Sequence, residues 1–252
     1  MAGQVVFRDA MGRELTEEDL AGVTGRVSWE SAGGGDVPER ARELHRRGRE
    51  AGERGEYEEA LALLEQAQDL APKWPHPSYD AAFTVLLQGD AARAEELYAG
   101  VDRLAPRGFF TCKTTLDLLR RELRGELFDG FSRAFVQLEW VEDPAQKRGL
   151  LLGIAERYPE LPQVWKELAP LLADPDEQAE AVERGLAAGP DPETLGLLLI
   201  NKALLLQHSD LRAAVGILGS LALDPDSTLG AETMAKIVLA QLAGHPRPSA
   251  AP

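Results

Sequence analysis

Cysteine occurs once in the 252 residues, at Cys112, so the chain can form no internal disulfide and has no cysteine cluster for zinc or an iron–sulfur centre. Aromatic residues are scarce, at 6%. With Ala, Leu, Glu and Arg dominating, that scarcity excludes a large sheet and favours helix. Positive charge is in short supply too: 27 Lys plus Arg against 42 Asp plus Glu leave a formal charge of −15. Nucleic acids and anionic membranes are bound through cationic surfaces, so the balance argues against both as partners. No run of ~18 apolar residues is present to span a bilayer. The start, Met1 to Asp9, has neither the cationic cluster nor the apolar run of a secretory leader, and the expectation is a cytoplasmic protein.

Hydrophobic residues nonetheless make up 44% of the chain, enough for a continuous core. Their arrangement repeats. Between residues 41 and 108, Gly55, Ala60, Leu64, Ala67, Leu70, Ala71 and Pro72 recur 34 positions later as Gly89, Ala94, Tyr98, Val101, Leu104, Ala105 and Pro106. In the first copy Leu44, Gly48 and Ala51 form one inward stripe and Ala60, Leu64 and Ala67 another, at the three- and four-residue spacing of amphipathic helices. Gly55 suits the positive φ of a helix C-terminal cap, and Pro72 closes the second helix because it has no N–H to donate. Gly48 and Ala60 are small enough to let two backbones approach. A lone pair of such helices leaves apolar surface uncovered, so it requires stacking on a neighbour.

Residues 41–108 resemble two tetratricopeptide repeats, a family of 34-residue helix-turn-helix units. Gly48 and Ala82 stand at the family's small first-helix position, Ala60 and Ala94 at its second-helix alanine, Leu64 and Tyr98 at its large apolar position, and Pro72 and Pro106 at its closing proline. Leu44 and Ser78 replace the family's first-helix tryptophan. The resemblance implies an all-α fold, an α-α superhelix or solenoid, over residues 36–243.

Farther along the period shortens. Asp143-Pro144 recurs as Asp174-Pro175, and Pro159 as Pro190, both 31 residues apart. Each Asp-Pro pair suits a helix N-cap and first position, opening the second helix of a shortened unit. Trp165 to Ala169 carries the family's tryptophan and small residue. Leu199 to Ala203, with Ala214, Leu218 and Pro225, forms a last unit, and residues 227–242 read as a solvating closing helix. Between Pro106 and Pro159 the separation of 53 is no multiple of the period. Three helices fill that stretch, over 110–124, 126–141 and 144–158, one of them unpaired or part of a divergent unit.

Residues 1–35 differ in kind. Val5-Val6-Phe7 and Val27-Ser28-Trp29 read as short strands, with a helical turn over Leu15 to Leu20 capped by Thr16. Too small to fold alone, this β-containing segment is expected to shield the first helical pair, as terminal elements of repeat arrays do. Ser31 to Gly35 reads as a flexible linker, Asp36 and Pro38 open the first long helix, and residues 244–252 are expected to be disordered.

Motifs for chemistry are few. Gly33-Gly34-Gly35 lacks the Lys-Ser or Lys-Thr of a phosphate cradle, and His45, His76, His208 and His245 have no metal-ligand spacing. The expectation is a protein without cofactor or metal and without enzymatic activity. The alternative is an enzyme or small-ligand site in the irregular middle segment, where Cys112, Lys113, Asp117 and Arg120 fall on one helix.

What remains is surface. The resemblance implies a concave groove lined by the first helices, in which a peptide or protein segment lies. The groove positions are Arg42, His45, Arg46 and Arg49 in the first unit and His76, Tyr79 and Phe83 in the second. Arginine grips carboxylates with paired hydrogen bonds, which points to an acidic or carboxylate-ended peptide. The same arginines are also spaced to pair with Glu39, Glu43, Glu50 and Glu53 along their own helix. One subclass of the family holds chaperone C-termini with a Lys and Asn arrangement, and the matching places here carry His45, Arg49 and Asp80, a departure from that pattern.

Overall fold

The computed structural model describes residues 37–244 together with the backbone of 4–8, 14–15 and 28–32. The three short backbone segments pair antiparallel in the order β2-β1-β3: β1 (Gln4–Arg8) lies between β2 (Glu14–Leu15) and β3 (Ser28–Ala32). Leu15 thus pairs with Phe7 rather than opening a helical turn. The turn at 16–20, the linker at 33–35 and the tail at 245–252 lie outside the described residues.

The body of the chain is all-α. Helices α1 (Glu39–Glu53) and α2 (Tyr57–Leu70) form the first hairpin, and α3 (Pro75–Gln88) and α4 (Ala91–Leu104) the second. The stripes anticipated from sequence are the core: Leu44, Ala51, Ala60, Leu64 and Ala67 are all buried. Gly55 and Gly89 turn the chain at φ +78° and +91°, a conformation that a Cβ would strain. At the hairpin crossing, a Cβ on Gly48 would stand 2.9 Å from Leu64 Cγ and 3.3 Å from the carbonyl of Ala60. This close approach is what the small residues permit.

The middle segment holds α5 (Cys112–Leu123), α6 (Phe131–Val136) with a 3-10 turn at Gln137–Trp140, and α7 (Pro144–Arg157). The second of these is shorter than its periodicity suggests. Gly125 and Gly130 both take positive φ, and the chain between them stays non-helical. Helix α8 (Pro162–Leu168) also ends in a 3-10 turn, at Ala169–Leu171, and is followed by α9 (Pro175–Ala187). The two 31-residue units therefore share a truncated first helix. Asp143 and Asp174 cap α7 and α9 by accepting the N–H of Ala145 and Asp176, with Pro144 and Pro175 at the first position. Phe131, Leu138, Leu151, Leu168 and Val182 join both units in one cluster.

Helices α10 (Pro192–Leu206), α11 (Leu211–Leu223) and α12 (Leu229–Gly244) close the array. The last of them does more than solvate an end. Ala231, Ala235 and Val238 of α12 are buried against Ala203, Ala214 and Leu218. Helix α5 is the odd member of the series, packed on α4 and α6 and also touching α10, which lies against α8 as well.

Candidate interaction surface

Helices α1 and α3 lie side by side and bring three of the seven anticipated groove residues, His45, Arg49 and His76, together. His45 is buried, and its Nε2 lies 2.7 Å from Asp80 Oδ2, while Arg49 Nε stands 3.9 Å from the same carboxylate. The place that departs from the chaperone-binding pattern is therefore filled by an internal pair. Arg42 is exposed, with Nε 3.4 Å from the Val37 carbonyl. Arg46 is exposed and lies between Glu43, at 2.7 Å, and Glu50. The hydrogen bonds it donates to both carboxylates raise its already high pKa. This is the same-helix pairing that the sequence spacing allowed.

On α3 the three residues diverge. His76 packs edge-on against Phe109 at 4.8 Å and against His45 at 5.9 Å, and lies 5.2 Å from Trp74. Its Nδ1 is buried without a hydrogen-bond partner among the described residues. Burial, assisted by repulsion from His45 and Arg49, pushes its pKa down to about 4, so the ring is neutral at pH 7. Tyr79 turns toward α4 and α5, with ring contacts to Tyr98, Phe109 and Phe110 and its hydroxyl 2.9 Å from Thr111 Oγ1. Burial raises its phenol pKa. Phe83 lies apart from this group and faces exposed Trp140 at 6.4 Å.

The sequence reading missed Trp74, Phe109, Phe110 and Trp140. Two of these had a local signal: Phe109-Phe110 is the chain's one adjacent aromatic pair, and Trp74 sits between two prolines. Phe110 holds φ +49° and is 38% exposed. A non-glycine residue in that region stays there only where its surroundings fix it, and here Phe109 and Tyr79 pack against it.

The alternative site around Cys112 does not assemble. The thiol is fully buried and lies 3.3 Å from the Tyr98 carbonyl, and burial lifts its pKa far from the thiolate range. Lys113 pairs with Asp102 at 2.5 Å, Arg120 with Glu95 at 2.9 Å, and Asp117 with Arg121 at 2.8 Å. Each charged member is tied to a different neighbour. Among the described residues no His, Cys, Asp and Glu cluster could hold a metal ion, and no helix is long and apolar enough to cross a membrane.

The chain matches no protein-family model and no curated protein. Among solved structures it is similar to the MamA RS-1 ArsTM double mutant, at 14% identity and TM-score 0.37, over 73% of this chain and 93% of that one. MamA 41-end from Desulfovibrio magneticus RS-1 is 13% identical with TM-score 0.36, over 84% and 100%. A thermophilic TPR protein of Thermus thermophilus is 20% identical with TM-score 0.33, over 79% and 99%. The fold is tetratricopeptide-like. Its first two hairpins recur at 34 residues, with Gly48 packed against Leu64 and Gly55 and Gly89 at the turns.

Proposed function

We propose that the chain is a non-enzymatic interaction scaffold that binds an acidic protein or peptide segment across α1 and α3. The observation that carries this reading is the meeting of Arg49 and His45 at Asp80, beside the ring set of Trp74, His76 and Phe110. It puts the exposed Arg49 guanidinium next to rigid aromatic surface, the combination that anchors peptides with both a carboxylate and an apolar side chain. Arg42 and Arg49 supply the charge, and Arg46, already held by two glutamates, contributes least. In the same reading residues 1–35 shield the open flank of the first hairpin. The protein acts in the cytoplasm, without cofactor and without a nucleic-acid or membrane partner.

The test is selection from a random peptide display library on the full chain. Enriched peptides should be acidic and should lose at least about tenfold in affinity when Arg42 and Arg49 are both changed to Ala, as expected for charge-assisted bonds. Peptides that bind the double variant equally well would put the site elsewhere.

A further inference from the structure

The contact between the α4–α5 connection and the last helices is polar, unlike the apolar stripes that join the hairpins. Glu193, in the first turn of α10, is 7% exposed. Its Oε2 accepts the backbone N–H of Thr114 at 3.0 Å, and its Oε1 is buried with no hydrogen-bond partner among the described residues. A Cβ on Gly108 would stand 3.0 Å from that Oε1, so the connection lies directly on the carboxyl group. Around it Thr114 Oγ1 lies 3.3 Å from Asp191 and 3.2 Å from Thr194 Oγ1. Buried Gln163 donates to Asp117 at 2.8 Å and to Asp191 at 3.1 Å. The Leu229 N–H donates to the Arg107 carbonyl at 2.7 Å, and the Arg107 guanidinium to the Ser227 carbonyl at 3.0 Å and to Glu232.

The charges facing Glu193 do not neutralise it. Asp191, on its own helix, repels it. Lys113 of α5 attracts it, but that ammonium pairs with Asp102. Arg107 of the connection is engaged with Glu232 of α12, and the Cys112 thiol adds no charge. Burial lifts the Glu193 pKa to about 7 against the pull of the Thr114 and Lys113 N–H groups.

We propose that this seam is an acid-closed clasp: protonated Glu193 keeps α10 and α12 docked on the α4–α5 connection, and its ionisation loosens them. Released to water, the carboxyl ionises near its ordinary value of 4.5. The open form therefore binds fewer protons than the closed one between pH 4.5 and 7. The opening constant rises by up to about tenfold per pH unit across that window and levels off above it. The clasp is separate from the α1–α3 surface, so it stands or falls independently of the proposed function.

Hydrogen exchange of the full chain, expressed as protection factors to remove the intrinsic pH dependence, tests it. Peptides covering 107–116 and 227–234 should lose at least about tenfold in protection between pH 5 and pH 7.5, with no further loss above. Glu193→Gln, which fixes the neutral form, should hold their protection constant over the same range. A flat profile in the wild-type chain, or an equal slope in the variant, overturns the proposal. Carbon-13 NMR of the glutamate carboxyls in the wild-type chain gives a second reading that needs no variant. A carboxyl titrating near pH 7 supports the clasp, and none above about 5.5 overturns it.

Discussion

Gly196 of α10 lies so close to Ala231 of α12 that a Cβ on the glycine would stand 2.4 Å from the alanine's Cβ. No side-chain rotation relieves such a contact, because both atoms are fixed to backbone. Gly196→Ala should therefore force α10 and α12 apart and cost about 1–3 kcal/mol, as overpacking does. Urea unfolding checks this: the midpoint should fall, and an unchanged midpoint would show that the contact yields without cost.

His76 gives the aromatic patch a pH signature. Its folded pKa of about 4 lies below the ordinary 6.5, so the fold favours the neutral ring. The stability that this confers is fully present above pH 6.5 and is lost as the pH falls toward 4. In urea titrations the wild-type chain should lose about 2 kcal/mol more stability than His76→Phe between pH 7 and pH 4.5. Glu193 works in the opposite direction over an overlapping window. A site-resolved probe at the patch, such as exchange of the Trp74 to Tyr79 segment, keeps the two apart. Equal acid sensitivity in wild type and variant would count against a neutral buried His76.

Cys112 should behave as a reporter of unfolding. Fully buried and held as a thiol, it should react with an aromatic disulfide reagent at neutral pH far more slowly than a free thiol, with a rate that climbs as urea unfolds the chain. Fast modification of the native protein would return the middle segment to consideration as a reactive site.

The hairpins were legible because each depends on residues close in sequence. Gly55 and Gly89 announce their turns, Asp143 and Asp174 cap their helices, and Ala60 and Leu64 lie on the stripe they bury. The shortened α6 was legible in part, since Gly125 and Gly130 stand in the chain but their effect on the 126–130 stretch depends on the turn they adopt. The seam was invisible. Thr114 and Glu193 are 79 residues apart, and Arg107 and Ser227 are 120 apart, and no local periodicity encodes such pairings. Of the anticipated groove positions, His45 and Tyr79 turn out to be buried or packed by rings from the α2–α3 and α4–α5 connections. Those connections have no repeat register to project from.

No hairpin of this array covers its own apolar flank. The most direct measurement is a thermal melt, followed by circular dichroism, of the isolated first hairpin, residues 37–74, beside the full chain. The full chain should melt in a sigmoidal helical transition, while the hairpin, stripped of the α3 surface that packs on it, should show weak helicity fading without a transition. A cooperative melt of the hairpin by itself would contradict the stacked array on which every other conclusion depends.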